Sequence, residues 1–392
     1  MSSLLCTAFI VCSIFASLLQ CTVIKLPVER EPVVTVRNGS LTGIYSSAYH
    51  QDFFLGIPFA QPPVGNLRFR KPQSLENKWA KPRKADAYSA SCVGYGPNNI
   101  LYRSSSEDCL YLNVIRPSGY VNGKKQLPVG IWIHGGGYFA GSSIDQRFNL
   151  SYIVQQSVEI GKPFIAISMN YRVSAWGFLS SAEVIESGQA NVGLWDQRLA
   201  LHWVQENIAA FGGEYIPSSP HSAFTFQVLT DPVGDPKQVT IWGESAGAQS
   251  VGNHLIAFGG RNDRLFRAAI MQSGSPTSFT SLSPSQDAFN NLTDSTGCSG
   301  ALDKLQCLRE IPFATLNQFF NNTQPGTRQP WAPVIDGDFI PGKASILLAQ
   351  GKYVPVPIIS GANSDEGTTF SPRGVNSTED FLRFLTGEIF LH

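Results

Sequence analysis

Residues 238–247 read Gln238-Val239-Thr240-Ile241-Trp242-Gly243-Glu244-Ser245-Ala246-Gly247. Val239, Ile241 and Trp242 make a short apolar, β-branched run, long enough for a buried strand and too short for a helix. Beyond the glycines, Ala248, Val251, Leu255 and Ile256 recur at helical spacing. Strand, tight turn and helix is the setting in which G-x-S-x-G forms a nucleophile elbow. The turn is sharp and the helix packs close to the strand, so neither flanking glycine position is expected to tolerate a Cβ. Ser245 is then left at the apex, its hydroxyl exposed, with a helix N-terminus behind it.

Around this stretch lie 392 residues, 43% hydrophobic and 15% charged, enough for one large α/β domain or two smaller ones. Lysine plus arginine equals aspartate plus glutamate at 29 each, with no basic run, which argues against a nucleic-acid partner. Leu4 to Leu19 is almost unbroken apolar sequence with no charge before Lys25. It falls short of the ~20 residues a membrane helix needs, so residues 1–21 read as a secretory signal rather than a stable membrane anchor. Five N-x-[ST] sequons, at Asn38, Asn149, Asn291, Asn321 and Asn376, suit an exported glycoprotein. Outside the leader four cysteines remain, Cys92, Cys109, Cys298 and Cys307. In an oxidising compartment they pair naturally as Cys92–Cys109 and Cys298–Cys307; four unpaired buried thiols is the alternative. Neither C-x-x-C nor H-E-x-x-H occurs, so no metal is expected, and no cofactor either.

Along the chain, Val33–Val36 and Leu41–Tyr45 flank Asn38-Gly39, a hairpin signal. Further strands are expected at Leu112–Ile115, Pro128–His134, Phe164–Met169, Arg267–Gln272 and Val356–Ser360, with a helix over Leu199–Ala210. This alternation predicts an α/β fold with a mostly parallel central sheet, helices on both faces and a small N-terminal antiparallel portion.

His134-Gly135-Gly136-Gly137 follows the Pro128–Ile133 run directly, where glycines let backbone N–H groups approach a ligand. Gly135, Gly137 and Ala140 also satisfy the dinucleotide pattern G-x-G-x-x-A. The next strand, however, ends in Met169-Asn170 with no acid for a ribose, and no clear helix follows the glycines. The other reading is an oxyanion hole of the lipase and esterase type, which requires an elbow later in the chain.

With both stretches in place the sequence resembles the type-B carboxylesterases, the family of cholinesterases and fungal lipases. The shared stretches include Gly56–Ala60, Pro62–Phe69, Glu107–Val114, His134–Gly137, Asn170–Arg172, Asn191–Gln197, the elbow, and Asn363–Thr368. The resemblance spans Val33 to Phe384 and implies an α/β-hydrolase fold and hydrolysis of a small-molecule ester. It implies Ser245 as nucleophile, Glu366 as acid, and the N–H groups of Gly136, Gly137 and Ala246 as oxyanion donors. Glu244 is either a supporting acid or an ordinary elbow residue. Sixteen residues between Cys92 and Cys109 are too few for a large amphipathic lid. An esterase of soluble or short-chain esters is therefore expected rather than an interfacially activated lipase.

Two departures stand out. The family's base is a histidine after the acid, yet the chain continues only 26 residues past Glu366. None of the six histidines, at 50, 134, 202, 221, 254 and 392, replaces it convincingly. His254 lies nine residues beyond Ser245, ~13 Å further along a helix. The expectation is a chain lacking its base and part of its core, nearly inactive as written, or a hydrolase-fold protein used for binding or adhesion. Second, residues 214–234 interrupt the F-G-G-D-P pattern of the family. A surface loop would be tolerated. The codons available for Gly213–Tyr215, Val233-Gly234 and Gly387–Ile389 contain splice-like signals, so 214–234 and 388–392 read as retained intron.

Overall fold

The alternating apolar runs resolve into one eight-stranded sheet. The computed structural model describes residues 31–96, 104–119, 126–212, 234–276, 282–321, 330–370 and 374–386. The expected leader (1–21), all but the last residue of the 214–234 segment, and residues 388–392 lie outside these. Its strands are β1 (Ile44–Ser46), β2 (Gln51–Pro58), β3 (Tyr111–Pro117), β4 (Leu127–Ile133), β5 (Ile165–Met169), β6 (Gly234–Glu244), β7 (Ala268–Gln272) and β8 (Ile358–Gly361). Their spatial order is β8-β7-β6-β4-β5-β3-β2-β1. From β8 to β5 all neighbours are parallel; β5–β3, β3–β2 and β2–β1 are antiparallel.

The sheet is covered unequally. Successive residues of a strand face opposite sides. Ile131 and Ile133 of β4 share a core with Ala248, Val251 and Leu255 of α3 (Ala246–Ile256), defined with α1 (Leu150–Glu159) and α2 (Val192–Asn207). Trp132 between them joins Leu150 and Val154 of α1 on the other face. Every residue of β5 is buried, as a strand covered on both sides requires. Towards β8 the cover on the α1 side thins: Trp132, Trp242, Ile270 and Ile359 lie in one cross-strand row. At its end Ile359 is 66% exposed, beside Ile358 at 56%.

Differences from the sequence expectation have local causes. The second hairpin strand ends at Thr42, because Gly43 carries the chain from a small three-stranded sheet into the main one. A Cβ there would stand 2.8 Å from Cδ1 of Phe54. The helix α2 starts seven residues before Leu199, at Val192. Its first turns hide their period, since Asp196, Gln197 and Arg198 are buried polar residues. Asp196 receives Arg172 through Nε at 2.8 Å and Nη2 at 2.6 Å, and also accepts the Arg172 backbone N–H at 3.0 Å. Asn170–Arg172 and Asn191–Gln197 are thus the two halves of one buried clamp. A second buried pair joins Arg116 of β3 to Asp52 of β2 at 2.8 Å.

Both disulfides form as expected, with Cα separations of 5.0 Å for Cys92–Cys109 and 5.7 Å for Cys298–Cys307. One sequon asparagine is engaged inside the fold. Asn38 is 6% exposed, and its Nδ2 donates to Leu75 O and Asn77 O, each at 3.1 Å. The Asn-Gly turn uses that side chain as an internal clamp.

Replacing Asp196 by alanine leaves the Arg172 guanidinium buried without its counter-ion. We expect a loss of about 3–5 kcal/mol in denaturant unfolding. A change below about 1 kcal/mol would show that the clamp is not what holds these segments together.

Candidate active site

Strand β6 delivers the chain to Ser245 in a conformation that serine rarely adopts, φ 56° and ψ −123°. Its N–H is held by the Gln272 carbonyl at the end of β7 at 2.9 Å, and its own carbonyl accepts Gln249 N–H at 2.9 Å. These bonds pin the backbone on both sides of the strained residue, as such strain requires. Helix α3 begins at the next residue, Ala246. A Cβ on Gly243 would lie 2.7 Å from the Ile133 carbonyl, and one on Gly247 would strike the same oxygen. The expectation that neither flanking glycine accepts a side chain therefore holds.

The end of β4 meets the elbow directly. A Cβ on Gly135 would sit 3.1 Å from Ser245 Cβ and 2.7 Å from the Glu244 carbonyl. Gly136 and Gly137 follow at φ 105° and 63°. Among the described residues no acceptor takes the N–H of Gly136, Gly137 or Ala246, and no partner engages the Ser245 hydroxyl. Residues 138–149 after the glycines form turns and a short 3₁₀ segment rather than a helix, which removes the dinucleotide alternative.

Glu366 lies past the end of β8, its Oε1 accepting Asn363 N–H at 2.9 Å. The Ser273 hydroxyl, followed by the Asn363 amide, holds the carboxyl below its usual range, so it is ionised at neutral pH. Burial, and then the charge of Glu366, push the half-buried Glu244 upward, with Arg147 opposing. Glu244 and Glu366 thus sense each other across the ends of β6 and β8. Beside them a cleft of about 380 Å³ is lined by Trp132, Phe148, Trp242, Glu244, Ser273 and Asn363. Ser273, which sequence reading missed, stands at φ 54° with its N–H bonded to Gly361 O at 2.8 Å. Nothing in its local sequence marks it; only the adjacency of β7 and β8 does.

No described histidine faces Ser245. His134 is buried against the Tyr171 ring at 4.2 Å, and its Nδ1 lies 2.9 Å from Gly135 O. A carbonyl only accepts, so the proton sits on Nδ1. His254 is buried, with Nε2 3.1 Å from Gln197 Oε1. His50 contacts Tyr45, and His202 is exposed on α2. His221 and His392 lie outside the described residues. Among the described residues no group of three or more His, Cys, Asp or Glu side chains is arranged to hold a metal.

The family model for the carboxylesterases matches residues 30–216 and 233–386. This chain belongs to the carboxylesterase family. It is 38% identical to Lipase 2 of Diutina rugosa, across 90% of this chain and 65% of that protein. It is 37% identical to Secreted lipase 1 of Botryotinia fuckeliana (strain B05.10), across 94% and 66% respectively. The structure of Aspergillus niger EstA superposes with a TM-score of 0.73 at 33% identity, covering 91% of this chain and 64% of EstA. The chain therefore spans about two thirds of the length of these relatives. The fold is accordingly that of an α/β-hydrolase esterase, a mostly parallel sheet flanked by helices.

Burial lowers the His134 pKa to about 4, against smaller raising effects from Gly135 O and Asp145. Between that value and the ordinary 6.5 the unfolded chain binds the extra proton and the folded one does not, so stability falls as pH drops through this window. Unfolding titrations at pH 7 and pH 4.5 should differ by about 2–3 kcal/mol on this account. His134→Gln should lose that part of the difference; an unchanged difference would show that His134 is not its source.

Proposed function

We propose that this carboxylesterase-family chain hydrolyses small-molecule carboxylic esters through an acyl-enzyme on Ser245. The supporting observation is the abutment of Gly135 on Ser245, which sets an unclaimed backbone cradle beside an unclaimed hydroxyl. In this reading Ser245 Oγ attacks the ester carbonyl, and the N–H groups of Gly136, Gly137 and Ala246 receive the oxyanion. Each such donor is worth ~10²–10³ in rate. The ionised Glu366 is suited to orient an imidazole and offset its charge. Glu244 serves as a supporting acid beside it. No described histidine is placed to supply that imidazole. Water then releases the acid and regenerates Ser245, with no step calling for a metal or cofactor.

The Botryotinia fuckeliana relative, named as secreted, supports an exported protein. The family model passes over 217–232, which supports reading 214–234 as foreign to the fold. A cDNA retaining both 214–234 and 388–392 would rule out the intron reading.

A second reading is a hydrolase-fold binding or adhesion protein, favoured by the absence of a facing histidine among the described residues. A fluorophosphonate probe separates the two. In a version extended by a relative's C-terminal part we expect probe mass on the Ser245 peptide, none in Ser245→Ala, and ester hydrolysis at least ~10³-fold lower in that variant. Intact but unlabelled Ser245, with both disulfides formed, in this chain and in a version extended by a relative's C-terminal part would select the binding reading; labelling of the extended version alone would show that this chain lacks its base.

The relatives, two of them named lipases, support a lipase, whereas the short Cys92–Cys109 segment supports an esterase of soluble esters. We expect rate against tributyrin concentration to saturate below the solubility limit. A jump on crossing into emulsion would establish the lipase instead.

A further inference from the structure

The sequons differ in what their asparagine side chains are doing. At Asn38 both Nδ2 hydrogens are in use, towards Leu75 O and Asn77 O, in a site 6% exposed. N-glycosylation joins Nδ2 to the anomeric carbon of an oligosaccharide carried on a diphosphate lipid. It breaks the sugar–diphosphate bond and releases one Nδ2 proton. A glycan on Asn38 would therefore remove one of its two bonds and force a sugar between the turn and residues 75–79. An added Cβ on the adjacent Gly39 would already lie 3.2 Å from the Trp79 ring, so that space is closed.

Asn149 is the opposite case. It is exposed at the N-terminus of α1, and its side-chain oxygen accepts Ser151 N–H at 2.9 Å. The cap uses Oδ1, which glycosylation leaves intact, while Nδ2 takes part in no hydrogen bond among the described residues. Asn291 lies exposed on the helix Leu282–Ser295, whose buried side is Ser285, Phe289, Leu292 and Thr293. Asn376 is exposed just before the helix Thr378–Leu385; only its backbone N–H is engaged, by Asp380 Oδ2 at 3.4 Å.

We propose that the exported protein carries N-glycans at Asn149, Asn291 and Asn376, and that the Asn38 sequon stays bare because its side chain is a folding clamp. This rests on the export reading, so the test separates the two. The chain is secreted from a eukaryotic host behind that host's own leader. Glycans are released enzymatically in ¹⁸O water, which marks each formerly glycosylated asparagine as ¹⁸O-aspartate for peptide mass spectrometry. Marks at Asn149, Asn291 and Asn376 and an unmarked Asn38 are expected; a mark at Asn38, or none at any of the other three, overturns the map. Asn149→Asp should quicken gel migration by one glycan with the melting midpoint unchanged, because aspartate keeps the cap. Asn38→Gln should leave migration unchanged and lower the midpoint; a migration shift there also overturns the map. The same chain behind its own N-terminus tests export alone: glycans only behind the host leader would refute export and leave the map standing.

Discussion

The Ile133 carbonyl, at the end of β4, has backbone packed against it from two sides. Gly243 passes it before the elbow and Gly247 passes it after, and neither position has room for a methyl group. That contact sets the distance between β4 and α3, and so decides where the glycines after β4 lie relative to Ser245. Closely packed interiors give little, so a methyl at either glycine would have to move a strand or a helix. Placement of the glycines after β4, strain at Ser245 and the start of α3 all follow from this one approach of backbone to backbone.

Around that point the fold is tied by buried ion pairs as well as apolar packing. Arg172–Asp196 links the segment after β5 to the start of α2, and Arg116–Asp52 links β3 to β2. Arg68 pairs with Glu107 and donates to the Ile311 carbonyl at 2.7 Å, fastening the first disulfide region to the segment after Lys304–Glu310. Such pairs add little net stability over apolar packing. They leave few alternative positions for the segments that carry them, because a misplaced partner leaves a charge buried alone.

Much of this was legible in the sequence. The elbow and the glycine triplet were readable because each couples a short apolar run to residues with a single geometric purpose. Both cysteine pairs followed from their spacing and compartment. The N-terminal turns of α2 were not legible, since their buried side chains are charged and break the apolar period. The inward role of Asn38 was not legible because a turn signal and a glycan signal coincide in the same residues. Ser273 was invisible because its importance lies in the adjacency of β7 and β8, ninety residues apart in the chain. The reading of Glu366 rests only on the family motif around it, as a solitary acid in a loop carries no signal.

The backbone at Ser245 has one more implication. A residue held at φ 56° stores conformational energy that glycine would not, on the order of 1–3 kcal/mol at such sites. The residue proposed to react is thus the thermodynamically wrong choice for its own position, and the scaffold tolerates the mismatch. Alanine shares nearly the same penalty, so it isolates the chemistry of the hydroxyl; glycine would remove chemistry and strain together. Directed evolution for thermal resistance alone would accordingly tend to erode this position first, trading reactivity for repose.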